Sequence, residues 1–307
     1  MISLLLMLKI AQLFIIMIIG YIITKLKIVK GDDSLVMSKI SLYVLLPAGI
    51  INAFNTEFTN SIKLGLLLAF LASIIIHIIF YVIDYFLKKT SKVSCVARAS
   101  VMYSNAANLI IPIVSYVLGE EWVIYSCAYL SVQVIFLWTH AISMFKKEKE
   151  KNYLKIFTNP NIISIFIGLL MMLFNIKLPS LINDVAVSLS GMLGPVSMFI
   201  TGMLFAKSNL KSVFVNKKVY IITFMRMIAW PLIVLVVFKI LLTVVDIENA
   251  QKVLLITFLS SMTPTASTIT QFAQIHNSDV DLAVSINIVT TVFCILTMPL
   301  LVSLYMM

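Results

Sequence analysis

With 61% hydrophobic and only 12% charged residues over 307 positions, the chain is too apolar for a water-soluble fold, since soluble domains are about half apolar and about a quarter charged. A mean hydropathy of +1.06 and apolar runs longer than the ~18 residues of a spanning helix predict an all-α integral membrane protein. The runs lack the period-two alternation of a membrane barrel. The net charge of +10 is what topogenic basic loops produce, so no nucleic-acid partner is implied.

Hydropathy predicts ten transmembrane helices, near residues 4–24, 35–55, 63–86, 94–118, 121–145, 160–176, 181–205, 217–244, 250–275 and 279–306. The first leads directly from Met1, without a small-residue cleavage pattern, and is expected to be a true span and no removable signal. Lys25, Lys27, Lys30, Lys88, Lys89, Lys146, Lys147, Lys207, Lys217 and Lys218 all fall at odd-numbered connections. Those connections are therefore expected in the cytoplasm, with both termini extracytoplasmic in a multi-pass protein of the cell membrane. A basic stretch divides the chain into a first five-helix repeat (1–145), a cytoplasmic linker (146–159) and a second five-helix repeat (160–307). Pro47 and Pro195, and Pro112 and Pro264, recur at similar spacing. Because five spans is an odd number, the second half must enter from the opposite face, giving a 5+5 inverted repeat.

Segments 4 and 9 are the polar ones. The first reads Tyr103-Ser104-Asn105-Ala106-Ala107-Asn108 and reaches Pro112; the second runs from Ser260 through Thr263, Pro264 and Thr265 to Ser267 and Thr268. Proline removes a helical donor and restrains the residue before it, so helices 4 and 9 are expected to break at Pro112 and Pro264. In hydrocarbon such breaks survive only inside protein or beside a watery cavity. Crossing broken helices would aim half-helix N-termini at that cavity, and an anion is the natural guest. The predicted substrate-binding residues are Asn105, Asn108, Pro112, Thr263, Pro264, Thr265, Ser267, Thr268 and Gln271; the last lies two turns past Pro264, on the same face.

These stretches carry a family resemblance. Asn105–Gly119, Asn159–Leu170, Gly194–Leu204 and above all Met262–Leu300 resemble the auxin efflux carrier family over nearly the whole chain. Many relatives have a glycine-rich NxG-type stretch where Asn105-Ala106-Ala107-Asn108 stands here, which narrows the backbone there. The resemblance implies a scaffold of helices 1, 2, 6 and 7, a mobile transport domain of helices 3–5 and 8–10, and a homodimer formed through the scaffold. It also implies elevator-type alternating access for small organic anions, such as carboxylates or auxin-like acids.

The remaining ionisable groups carry less. Segments 4 and 9 contain no buried acid, which argues against cation exchange. Asp84 is expected to pair at the surface with Lys88, His77 and His140 to be packed neutral, Arg226 to snorkel to the cytoplasmic headgroups, and Trp122, Trp138 and Trp230 to anchor at the interfaces. Cys95, Cys127 and Cys294 lack ligand spacing, so neither a metal nor another cofactor is expected. No HExxH, Ser/His pair or carboxylate dyad points to an enzyme. The coupling ion stays open between a proton and a potential-driven uniport. The alternatives are a carrier resembling bile-acid/sodium symporters and a membrane sensor without flux.

Overall fold

The computed structural model describes residues 2–55, 59–90, 93–145, 158–207 and 215–307; nearly all of the basic linker lies outside them. The described chain is helical throughout, in chain order α1 (Ile2–Lys25), α2 (Gly31–Phe54), α3 (Asn60–Thr90), α4 (Cys95–Met102), α5 (Ala106–Leu118), α6 (Glu120–Phe145), α7 (Pro160–Leu173), α8 (Ser180–Lys207), α9 (Lys217–Val244), α10 (Ala250–Ser261), α11 (Ser267–Ile275) and α12 (Val280–Met306). Seven of these, α1, α2, α3, α6, α8, α9 and α12, are long and apolar enough to cross a membrane, and α5, α7 and α10 are shorter apolar helices.

Local chemistry starts several helices at the expected places. Ser94, Asn159, Asn216 and Asp279 each accept a hydrogen bond from a backbone N–H of the helix that follows, satisfying donors that have no intrahelical partner. Pro160 occupies the first turn of α7, where its missing N–H costs nothing. Three spans contain π-turns, at Ser41–Leu45, Leu137–Ala141 and Met225–Ala229. Two of them end two residues before a proline, Pro47 and Pro231.

Two packing groups can be distinguished. In the first, α1 lies along α8, and α2 packs on α7 and α8. The α1–α8 contact is backbone to backbone: a Cβ at Gly20 would stand 2.5 Å from the Phe199 carbonyl oxygen, and one at Gly202 would collide with the Met17 carbonyl. In the second, α3 packs on α6 and α10, and α12 packs on α4, α9 and α11 while also lying along α1 of the first group. Helix α5 runs between the groups, touching α1 and α8, with the Pro112 ring against Gly194.

The position of one break differs from expectation. Pro112 lies inside a continuous α5, and the chain leaves helical geometry earlier, at Tyr103–Asn105. Tyr103 is extended (φ −96°, ψ 122°). Ser and Asn offer the backbone competing hydrogen bonds, and here other helices satisfy the freed groups, whereas Pro112 costs its helix a single bond. The second interruption, Met262–Ala266, does contain its proline, Pro264.

Candidate functional site

The two interruptions meet. Ser104 and Thr265 form an isolated antiparallel bridge. The Asn105 N–H donates to the Pro264 carbonyl at 2.7 Å, and the Ala266 N–H donates to the Tyr103 carbonyl at 2.9 Å. Two extended residues in apolar surroundings still have groups on their outer edges to satisfy, each costing several kcal/mol if left unpaired. On one edge Gln133 of α6 acts as a substitute strand. Its Nε2 donates to the Ser104 carbonyl at 2.9 Å, and its Oε1 accepts from the Ser104 N–H at 3.2 Å and from the Ser104 hydroxyl. On the other edge α12 plays the same part. Thr290 Oγ1 accepts from the Thr265 N–H at 3.2 Å, and Asn287 Nδ2 donates to the Thr265 carbonyl at 2.8 Å.

Arg226 completes the crossing. It is fully buried, projected inward from the π-turn of α9, so it does not snorkel to the membrane surface. Its Nε and Nη2 donate to the Thr263 carbonyl at 3.1 and 2.7 Å, Nη2 also donates to the Ser261 carbonyl at 2.7 Å, and Nη1 donates to the Val101 carbonyl at 3.1 Å. One guanidinium therefore gathers the carbonyl ends of both α4 and α10. Five N–H donors in a fixed fork suit this task. Its positive charge meets two helix ends that each carry about half a negative charge.

Beside the crossing is a cavity of about 290 Å³, room for a small carboxylate and several waters at roughly 30 Å³ per water. Its floor is Ser104, Asn105, Asn108, Ala266, Thr268 and Gln271, with Gln133 behind. Its far wall comes from α2, between Leu35 and Leu46, and from the start of α7, with Ser38, the exposed Lys39, Asn159 and Asn161. Trp138 lines it too, set edge-on to Phe272. Asn108 Nδ2 donates to Asn105 Oδ1 at 3.1 Å and lies 3.4 Å from the Ser267 hydroxyl, while Asn108 Oδ1 has no partner. These residues begin α5 and α11, whose first N–H groups lack intrahelical acceptors. Among the described residues no aspartate or glutamate lines the cavity. On the other side of α5, among Leu13, Leu109, Ile113 and Cys294, lies an apolar void of about 20 Å³, too small for a carboxylate.

Of the residues expected from sequence, Asn105, Asn108, Thr268 and Gln271 line this cavity, and Ser267 adjoins Asn108. Thr263, Pro264 and Thr265 build the crossing instead: the first two present carbonyls to Arg226 and Asn105, and the Thr265 hydroxyl donates to the Ser100 carbonyl at 2.9 Å. Pro112 is at the interface with α8, away from the cavity. Sequence reasoning missed Ser104, Gln133, Asn287, Thr290 and Lys39. An amide within an apolar run was a usable signal for Gln133 and Asn287, because a lone amide in a span must find a partner.

Three other expectations change. Asp84 is buried and paired with Arg98 and His140, so the surface pairing with Lys88 is wrong. Trp230 is buried and stacked on Phe80, and Trp138 faces the cavity, which leaves Trp122, beneath the Lys252 ammonium, in an anchoring position at a helix start. His77 sits among Phe80, Tyr129 and Phe136, with Nδ1 2.7 Å from the Ser73 carbonyl.

A comparison with curated proteins returns no match. The family model described as membrane transport protein matches residues 5–302, which takes in both interruptions, Gln133, Arg226 and every wall of the cavity. The chain thus belongs to the membrane transport protein family, that of the auxin efflux carriers.

Proposed function

We propose that the protein is a secondary transporter of small organic anions. The observation that carries this reading is the charge balance at the crossing. Four half-helix ends converge there, two positive and two negative. Arg226 neutralises the negative pair, whereas among the described residues no acid lines the cavity beside the positive pair. The N-termini of α5 and α11 are thus left to an external anion, with the Asn108 amide, Thr268 and Gln271 as neutral donors and Lys39 at the mouth to attract it.

In this reading α4 with α5, and α10 with α11, are each one interrupted span, which gives ten spans in a 5+5 inverted repeat. The matched roles of α6 and α12, each closing one edge of the crossing, support such a repeat, because they would be the fifth and tenth helices. The two packing groups correspond to a scaffold of α1, α2, α7 and α8 and a moving body of the remaining helices. The cavity is lined by Lys39 and by the start of α7, Asn159–Asn161, which lie toward the lysine-rich end, read as cytoplasmic by the positive-inside rule. The arrangement is then the inward-facing one, and an elevator-like slide of the moving body would carry the anion to the opposite side. A homodimer through the scaffold is part of the same reading.

The test is a panel of mono- and dicarboxylates added to purified protein while thermal unfolding is followed, repeated with Asn108→Ala, together with counterflow in liposomes. At a ligand concentration of 100 times Kd a bound anion adds about 2.7 kcal/mol of stability. One class of carboxylate is expected to stabilise the native protein and exchange across the bilayer, with both effects lost in the variant. Absence of stabilisation and of counterflow with every carboxylate would refute the proposal.

A further inference from the structure

A chain of buried polar groups leads from the lysine-rich end to the crossing and has no role in the site described above. Arg98 Nη1 donates to Asp84 Oδ1 at 2.8 Å. The other carboxylate oxygen, Oδ2, lies 3.3 Å from His140 Nε2. The opposite ring nitrogen, Nδ1, is 2.8 Å from the Tyr103 hydroxyl, which is also 3.1 Å from the Phe136 carbonyl. Tyr103 is the first extended residue of the interruption, and its own carbonyl takes the Ala266 N–H across the crossing. The Asp84, Arg98 and His140 side chains are 7%, 9% and 15% exposed, so the group is largely shielded by its neighbours.

The hydroxyl of Tyr103 has one proton and two neighbours able to accept it. With neutral imidazole, Nε2–H donates to Asp84 and the tyrosine O–H donates to Nδ1. When a proton from water adds to Nδ1, that nitrogen becomes a donor, and the tyrosine O–H must turn to the Phe136 carbonyl, which already stands at hydrogen-bond distance. Both arrangements thus keep both imidazole nitrogens and the tyrosine hydroxyl bonded, which is the requirement for a site that exchanges a proton without orphaning these groups. Of the other titratable groups nearby, Tyr81 of α3 presents its ring to His140 at 5.0 Å between centroids, and Arg98 of α4 acts through Asp84. His276 lies beyond Phe145, and Lys88 is exposed.

We propose that Asp84, His140 and Tyr103 form a proton-binding site coupled to the crossing, so that the protein takes up one proton together with its anion. The coupling half of this inference rests on the anion reading above; the proton site itself does not. Protonation places a cation behind the interruption and alters the hydroxyl bond of the residue that starts it, and linkage requires the two ligands to strengthen each other equally. All three residues belong to the helices assigned to the moving body, so the proton would travel with the substrate, and a monoanion would cross as a neutral pair. The sign follows: anion affinity is highest when His140 is protonated and falls as pH rises, by at most about tenfold per pH unit for one linked proton.

The experiment uses the full chain in lipid nanodiscs as wild type, His140→Gln, which keeps hydrogen-bonding capacity without titration, and Tyr103→Phe, which cuts the link and leaves the imidazole. First, without any anion, histidine-selective nitrogen NMR is recorded from about pH 5 to about pH 8. One resonance missing in His140→Gln should titrate, and Tyr103→Phe should shift its midpoint. An invariant resonance, or an unmoved midpoint, overturns the proton site. Second, malonate affinity is measured over the same range. It should fall severalfold per pH unit in wild type and be flat in His140→Gln; an equal slope in both overturns the coupling. If malonate and acetate bind to none of the proteins at any pH, the anion reading fails and with it the coupling, while the first arm decides the proton site.

Discussion

Replacing Arg226 tests the crossing most directly. Arg226→Met keeps an unbranched side chain out to the position of Nε and removes every donor. The carbonyls of Val101, Ser261 and Thr263 would then be left in a region where Arg226 itself has no exposed surface. Each buried carbonyl without a partner costs about 1–3 kcal/mol, so three cost roughly 3–9 kcal/mol, a large part of the about 5–15 kcal/mol that holds a typical domain folded. Two half-helix ends with their negative partial charge would also face one another unscreened. Thermal unfolding followed by tryptophan fluorescence should therefore fall by several degrees at least, since 1 kcal/mol corresponds to about 2–4 °C in chains of 150–250 residues. Arg226→Lys keeps the charge but not the planar fork, so it should be intermediate in stability and retain more carboxylate binding. An Arg226→Met protein that melts with wild type and binds carboxylates with unchanged affinity would refute the assignment of Arg226 to the crossing.

Other substitutions probe separate parts of the argument. Gln133→Leu should cost about 2–4 kcal/mol, read as a lowered melting temperature, because both backbone groups of Ser104 lose their partner at once. Gly202→Ala should cost about 1–3 kcal/mol, since its new methyl group meets the backbone of Met17 and Tyr21; the equivalent change at Gly191, where a Cβ meets nothing within 4 Å, should leave the melting temperature nearly unchanged. Lys39→Gln should reduce carboxylate affinity most at low salt and little at high salt, because an exposed cation at the cavity mouth acts through a field that salt screens; a salt-independent loss would argue for direct contact.

The fold class was legible because it depends on bulk transfer energy: a helix of apolar residues in lipid needs no partner to be recognised. Part of the lining of the candidate cavity was legible for a related reason, since Asn105, Asn108, Thr268 and Gln271 are polar where polarity is expensive. Less legible was anything decided by where a backbone group finds its partner. Pro112 looked like the break, but a proline costs a membrane helix one bond, whereas the non-helical residues at 103–105 depend on Gln133, Pro264, Thr265 and Ala266, none of them nearby in sequence. Arg226 was misread for the same reason. Among Lys217, Lys218 and the lipid-facing positions of α9 it has the signature of a snorkelling residue, and its true partners are carbonyls 35 or more positions away. Asp84 has a lysine one turn along its own helix, yet pairs with Arg98 and His140 on other helices.

The charge balance that favours an anion can be tested without one. Asn108 is the third residue of α5 and adjoins the start of α11, so Asn108→Asp would place a carboxylate where the bound one is proposed to sit. A negative side chain in the first turn of a helix stabilises by about 0.3–1 kcal/mol when exposed and up to about 2 kcal/mol when partly buried, and here two helix starts share it. The variant should thus melt at or above the temperature of the ligand-free wild type while losing its response to added carboxylate, because the fixed charge fills the site and repels a second one. Asn108→Ala should lose the response without the gain in stability. The two outcomes separate an electrostatic site from one built only on amide contacts. If Asn108→Asp is as unstable as Asn108→Ala and recovers when its carboxylate is protonated at low pH, the positive ends are already balanced by the protein, and an anion has no reason to bind there.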